Sequence, residues 1–145
     1  MIDGGSVMKR YVIFLFVLII VLCSCTAPAH HYELQKSFED IAKVDIFDNA
    51  VHSNNIADLV WIKTIEKSEY TELLGQIIQL DCYIPFNDPP DYFGDYVLRI
   101  TYLDGSYELI GSTNSIYFPH NGKTKFYYYR FPDNFNVLVS QYLDS

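Results

Sequence analysis

Residues 94–111, with the sequence GDYVLRITYLDGSYELIG, carry the strongest local folding signal in the chain. Apolar and polar residues alternate on both sides of Asp104-Gly105, and a period of two is typical of β-strands with one buried face. An Asp-Gly pair between two such runs favours a two-residue type I′ turn, because both turn positions need a positive φ. The stretch therefore predicts an antiparallel β-hairpin.

The two-residue turn also predicts the register of this hairpin. It places Tyr102 opposite Tyr107 and Ile100 opposite Leu109 on one face. The other face then carries the polar side chains Arg99, Thr101 and Glu108. Arg99 and Glu108 lie diagonally across the two strands and are expected to pair weakly.

Hydrophobic periodicity predicts five strands and two helices outside the hairpin. Ser68 is expected to cap the first helix and Asp133 the second, since each precedes apolar residues spaced three and four apart. The order ββαβββββα predicts an α+β domain, an antiparallel sheet of about seven strands with two packed helices. The five strands cover residues 41–48, 59–65, 80–84, 115–118 and 125–131, the last two joined at Asn121-Gly122, and loops cover residues 49–55 and 87–94.

Residues 9–22 have the organisation of a secretory signal peptide. Lys9 and Arg10 precede twelve apolar or aromatic residues at 11–22. A helix of that length rises about 18 Å, well short of the roughly 30 Å hydrocarbon core of a bilayer. The run therefore favours a signal peptide over a transmembrane helix. We interpret Met8 as the true translation start, because the seven residues before it do not fit a signal peptide.

Leu22, Cys23, Ser24 and Cys25 end this leader. They resemble the lipobox of bacterial lipoproteins, in which an aliphatic residue and two small residues precede an obligatory cysteine. The resemblance implies diacylglyceryl transfer to the Cys25 thiol, cleavage between Ser24 and Cys25, and attachment to the extracytoplasmic face of the cell membrane. Two acyl chains, such as palmitate, anchor a protein stably, whereas one chain binds only marginally.

This interpretation divides the chain into a leader at 1–24, a lipidated cysteine and flexible tether at 25–36, and a single domain at 37–145. The tether contains Pro28 and small residues and has no apolar period. The hairpin residues from Tyr102 to Gly105 resemble small extracytoplasmic lipoprotein domains of Gram-positive bacteria whose function is unknown, and this resemblance implies no site residues.

Composition excludes several classes of function. The chain has 10 basic and 18 acidic residues and a net charge of −8, which argues against nucleic acid as a partner, because nucleic-acid binding needs a basic surface. Three cysteines do not support a disulfide framework. Half of the residues are apolar, so the domain is expected to build an ordinary hydrophobic core.

Acidic residues beside two prolines form the best candidate ligand cluster. Calcium prefers several oxygen ligands from one loop. The spacing does not match an EF-hand, and acidic residues are also common in turns, so we expect neither a metal nor a cofactor. A small-ligand or calcium-binding sensor that uses this loop is the alternative function. The cluster consists of Asp88, Asp91 and Asp95.

The sequence has neither a nucleophile elbow nor a glycine-rich phosphate loop, so we do not expect an enzyme. Cys82 lies on the apolar face of a predicted strand, which is typical of a buried thiol. His30 and His31 are adjacent, but nothing nearby completes the four ligands of a closed metal site. A hydrolase would need a nucleophile or an acid pair that the sequence does not show.

Aromatic residues provide the candidate binding surface. Three consecutive tyrosines at 127–129 place rings on both faces of one predicted strand. Either a helix covers each face, or one face recognises a partner. We therefore predict a non-catalytic, membrane-anchored module that binds a partner protein, such as an envelope protein, or another envelope component. The candidate contact residues are Tyr92, Phe93, Tyr96, Tyr127 and Tyr129.

Overall fold

The computed structural model describes residues 30–53, 55–82, 93–128, 130–131 and 134–143. Within these residues the chain forms two α-helices and two antiparallel sheets, one of six strands and one of two. The predicted α+β class is therefore confirmed. The strands are β1 (His30–His31), β2 (Ile41–Asp48), β3 (Val60–Ile65), β4 (Asp81–Cys82), β5 (Tyr96–Tyr102), β6 (Tyr107–Gly111), β7 (Asn114–Phe118) and β8 (Lys125–Tyr128), and the helices are α1 (Lys67–Ile77) and α2 (Asn134–Ser140).

The large sheet has the order β3-β2-β5-β6-β7-β8, so β3 and β8 form its two edges. The small sheet pairs β1 with β4. Strand β2 has the bounds that its alternation predicts, and the second hairpin joins β7 to β8 as expected, with Gly122 at a φ of +127° in the connection.

The first hairpin differs from its prediction at the turn. The backbone N–H of Tyr102 donates to the carbonyl of Ser106 at 2.8 Å, which closes a loop of three residues instead of two. Gly105 takes a φ of +83°, the left-handed position that ends a type I turn in such loops. Asp104 Oδ1 accepts from the backbone N–H of Ser106 at 3.0 Å and holds the loop in this form.

The longer loop shifts the register by one residue. Thr101 pairs with Tyr107 and Ile100 pairs with Glu108. A one-residue slip moves every side chain of one strand to the other face. Arg99 therefore stays on the outer face, where its guanidinium lies 4.2 Å from the centre of the Tyr107 ring, and its predicted diagonal pairing with Glu108 is wrong.

Both helices form where the apolar stripes predict them. The first begins at Lys67, with Glu66 and not Ser68 as its N-cap, because Glu69 Oε2 accepts from the backbone N–H of Glu66 at 3.1 Å. The cap predicted for the second helix, Asp133, lies outside the described residues.

The helices cover one face of the large sheet and form the main core with it. Buried side chains of the sheet there include Val44, Ile46, Leu98, Ile100 and Ile110, packed with residues of α1 and α2. A smaller cluster on the other face consists of Phe93, Val97, Leu109 and Ile116. Phe93 lies so close to Gly111 that a Cβ on the glycine would stand 2.0 Å from the Phe93 carbonyl oxygen.

Candidate functional site

Residues 30–36, here called the arm, belong to the fold rather than to a flexible tether. His30 and His31 pair with Cys82 and Asp81, and the Cys82 thiol donates to the carbonyl of His30 at 2.9 Å. Tyr32 is 4% exposed and lies edge-on to Phe131, with ring centres 6.1 Å apart. The tether prediction is therefore wrong for these residues, because two paired strand residues and one buried aromatic ring are enough to fix a segment without an apolar period.

Glu108 holds the arm to the sheet. Its side chain is completely buried. The hydroxyl of Tyr32 donates to Oε2, and the hydroxyl of Tyr102 donates to Oε1. The backbone N–H of Gln35 also donates to Oε1, at 3.4 Å. The carboxyl group thus joins the arm to β5 and β6 beneath the helical layer.

The surroundings of Glu108 favour its protonated form. Burial raises the pKa of Glu108 because it removes water from the charged carboxylate, and the donations from Tyr102, Tyr32 and Gln35 only partly offset this. Burial, and after it the neighbouring Glu108 carboxyl group when this is ionised, raises the pKa of the Tyr102 hydroxyl. A buried carboxyl group held by hydroxyl and amide donors, and not by a cation, is costly to ionise.

Two further contacts fix the arm along its length. Gln35 Oε1 accepts from the hydroxyl of Tyr127 at 3.1 Å, which ties the arm to edge strand β8. Lys36 forms an ion pair with Asp104, and its Nζ lies 5.6 Å from the centre of the Tyr102 ring. The hydrogen bond to Lys36 lowers the pKa of the Asp104 carboxyl group and raises that of Lys36.

A cleft of about 500 Å³ opens beside the arm. Its wall is formed by the arm on one side and by Tyr127 on the other. His31 Nε2 lies 3.8 Å from Asp81 Oδ1 at its rim. The lining residues are His30, His31, Tyr32, Glu33, Leu34, Gln35 and Tyr127.

The opposite edge of the sheet exposes apolar side chains. Trp61, the one tryptophan of the chain, is 57% exposed on edge strand β3. Val60 beside it is 62% exposed. Because neighbours on a strand point to opposite faces, Trp61 and Val60 expose apolar groups on both faces of the sheet at this edge. We call β3 and the connection that leads into it the Trp61 edge; this segment carries Val51, Ile56, Val60 and Trp61, four of the seven exposed large apolar residues in the described part of the chain.

Polar contacts beneath the Trp61 edge hold it in place. Asn49 is buried, and its side-chain amide donates to the carbonyls of Gly94 at 2.9 Å and Ser53 at 3.0 Å, which fixes the turn that carries Val51. On β2, burial works to raise the pKa of Asp45, but its bonds to Lys43, Thr64 and the Trp61 side chain, together with the Lys43 charge, outweigh burial and lower it. The apolar side chains are therefore displayed on an ordered support.

The predicted tyrosine patch does not form one surface. Phe93 is completely buried in the smaller cluster, so its side chain offers no contact to a partner. Tyr96 packs against the main core on the other side of the sheet. Tyr127 is half-buried and lines the cleft. Tyr92 and Tyr129 lie outside the described residues.

The predicted acidic cluster is described at one position only, since Asp88 and Asp91 lie outside the described residues. Asp95 is exposed, its Oδ2 accepts from Asn136 Nδ2 at 3.0 Å, and its Oδ1 lies 3.7 Å from His52 Nδ1. In the part of the chain that the structure covers, no group of three or more His, Cys, Asp or Glu side chains is placed to hold a metal ion.

The leader and the lipobox, with Ser24 and Cys25, also lie outside the described residues. No helix in the described ranges is long and apolar enough to cross a membrane. Burial, and to a lesser extent the Asp81 charge, raises the pKa of the Cys82 thiol, so the thiolate is disfavoured.

Fold and site together define a small α+β domain with a fixed N-terminal arm at one side and an exposed apolar edge at the other. Comparison with family models, curated proteins and solved structures finds no match. Sequence reasoning missed both Glu108 and Trp61 as site residues. The acidic residue within an apolar run at 107–110 was the available signal for Glu108, whereas nothing in the alternation of residues 60–65 marks β3 as an edge.

Proposed function

We propose that the protein is a membrane-anchored extracytoplasmic lipoprotein whose domain is a non-catalytic module that binds an envelope protein through the Trp61 edge. The observation that carries this proposal is the position of the exposed apolar residues on the sheet edge remote from the arm. Exposed apolar patches on ordered supports mark protein–protein contact sites, and tryptophan is enriched among the residues that dominate binding energy.

The leader supports the anchoring half of the proposal. Charge, apolar run and lipobox follow one another in the order that lipoprotein export needs, and Cys25 stands five residues before the first strand. The net charge of −8 would repel the domain from an anionic bilayer, so a lipid has to hold it there.

The sheet order supports the binding half. Strand β3 lies at one edge, and the arm bonds to Tyr127 on β8 at the other. Five strand spacings separate the two edges, a distance of about 24 Å. Within the described residues the Trp61 edge is therefore exposed to a partner, while the arm occupies the side that leads to the lipid.

Metabolic labelling with an alkyne analogue of palmitate tests the anchor. The natural chain and the Cys23→Ala control are expected to carry the label and to sediment with membranes. Cys25→Ala is expected to lose the label and leave the membrane fraction. Label retained on Cys25→Ala would contradict the assignment of this cysteine.

In-cell crosslinking followed by mass spectrometry tests the binding half. A stoichiometric envelope protein is expected to be captured, and Trp61→Ser is expected to abolish the capture. Val137→Ser is the matched control, because Val137 is equally exposed, at 58%, but lies on α2. Loss of the partner on Tyr127→Ser, with Trp61→Ser unchanged, would move the binding site to the cleft.

A further inference from the structure

The distance between the lipidation site and the fold is short. From Cys25 to His30 the chain makes five peptide steps, and a fully extended chain spans at most about 18 Å over that length. His30 is already paired in β1, so no slack is added by the residues that follow it.

The arm does not act as an extension of this tether. Its backbone is held at His30 by Cys82, its Tyr32 hydroxyl by the buried Glu108, and its Gln35 side chain by Tyr127. Releasing the arm would leave the buried carboxyl group without two of its three donors, which is unfavourable because a buried polar group that loses its partner cannot replace it with water. The anchor point therefore moves with the whole domain.

The size of the domain limits how it can turn on so short a tether. A globular domain of about 115 residues is about 35 Å across, and half of its circumference is about 55 Å. A tether of 18 Å or less cannot wrap around it, so the surface opposite the anchor point cannot reach the bilayer.

We propose that the arm side of the domain faces the lipid headgroups and stays within about 18 Å of them, with the cleft towards the bilayer and the Trp61 edge turned away from it. This inference rests on lipidation of Cys25. The occupant of the arm side is the bilayer surface, identified by the length of chain between the lipid and β1. Charge does not supply the attraction, since a leader of 24 residues removes Lys9, Arg10 and Asp3 and leaves the mature chain at −9.

Tryptophan fluorescence in vesicles tests the orientation. The processed lipoprotein is reconstituted into vesicles of phosphatidylcholine and phosphatidylglycerol that contain a headgroup-spin-labelled lipid. The native Trp61 reports the far edge, because it is the one tryptophan of the chain. A second variant, Trp61→Phe with His31→Trp, reports the cleft at a position that is 58% exposed. Quenching at His31→Trp is expected to exceed quenching of Trp61 at least threefold.

A longer tether provides the matched control. About twenty Gly and Ser residues inserted between Ala29 and His30 add a root-mean-square length of about 25 Å. The insertion is expected to lower the quenching of the His31→Trp probe towards that of Trp61. An unchanged difference would overturn the short tether as the cause of the orientation.

The outcomes separate this inference from the function on which it rests. Equal quenching of the two probes, or stronger quenching of Trp61, in a protein that carries the palmitate label would overturn the orientation and leave the lipoprotein intact. Absence of the label and of the protein from the membrane fraction would instead contradict the proposal that the chain is a lipoprotein.

Discussion

The arm region buries a polar group, whereas the Trp61 edge exposes apolar groups, and both depart from the usual distribution in a globular protein. Under the arm a carboxyl group, Glu108, is completely buried, whereas at the other edge the Trp61 indole is more than half exposed. Carboxyl groups are rarely buried without a cation, and contiguous exposed apolar patches are uncommon in monomeric proteins. Each feature reduces solubility or stability, so each is expected to have a specific role: Glu108 in holding the arm to the sheet, and the exposed Trp61 in contact with a partner.

The two regions differ in what holds them. The arm packs Tyr32 and Leu34 against the main core, and its position also depends on a few hydrogen bonds that meet at one carboxyl group. The Trp61 edge depends on the sheet and on the Asn49 turn beneath it, and of its exposed residues Trp61 also forms a side-chain hydrogen bond with the buried Asp45. Substitutions should therefore be severe at the first and mild at the second.

The largest effect is expected from Glu108→Ala. It leaves the hydroxyls of Tyr32 and Tyr102 and the backbone N–H of Gln35 without their acceptor in a buried place. Each such group costs about 1–3 kcal/mol, so we expect a loss of about 3 kcal/mol or more. Urea unfolding monitored by circular dichroism measures it. Glu108→Gln, which keeps the volume and one carbonyl oxygen, is the matched control, and a loss below about 1 kcal/mol in Glu108→Ala would contradict the role of the carboxyl group.

The protonation of Glu108 gives a second, pH-dependent effect. Folding raises the pKa of this group above its ordinary value of 4.5, so between these two pKa values the folded chain binds the proton more tightly than the unfolded chain. The group contributes stability that is fully present below 4.5 and lost as the pH rises through the folded pKa.

Glu108→Gln removes this titration. We expect the free energy of unfolding of Glu108→Gln, relative to the natural chain, to increase as the pH is raised from about 4 to about 8, by 1.36 kcal/mol for each unit of pKa shift. Urea unfolding at several pH values measures the difference. Parallel pH profiles for the two proteins would show that Glu108 ionises normally in the fold.

The position of Glu108 is a feature that local sequence patterns do not predict. Alternation placed β2 at its observed bounds and located both hairpins, because period and turn residues are local properties. An Asp-Gly pair fits loops of two or three residues alike, and the choice depends on the contacts of Asp104 with Ser106 and with the distant Lys36. One residue of difference in the loop moved Glu108 from the outer face to the core.

The arm and the Trp61 edge were missed for a related reason. Neither the burial of Tyr32 nor the exposure of Trp61 follows from neighbours in sequence, because both depend on which strand lies at an edge and on what packs over it. The strand partner of His30–His31 stands about fifty positions away along the chain, at Asp81–Cys82. The order of predicted strands and helices along the chain, by contrast, was sufficient to predict the α+β class.

A smaller effect is expected at the outer end of the arm. Tyr127→Phe removes the hydroxyl that donates to Gln35 Oε1 and keeps the ring, so we expect a loss of about 1 kcal/mol. Tyr117→Phe is the matched control, because Tyr117 is also half-buried against the main core, whereas the hydroxyl that donates to Gln35 belongs to Tyr127. Thermal unfolding compares the two. Equal losses would mean that Tyr127 acts through its ring alone.

The smallest effect on stability is expected at the Trp61 edge. Val51 is 68% exposed at the tip of a turn that Asn49 holds from below, so Val51→Ser is expected to change the free energy of unfolding by no more than about 0.5 kcal/mol. The same substitution is expected to weaken capture of the envelope partner several-fold, because the patch loses apolar area at its rim. Val137→Ser again serves as the control, since it removes a valine of similar exposure from α2. Capture that is unchanged by Val51→Ser, but lost with Trp61→Ser, would confine the contact to β3 and exclude the turn.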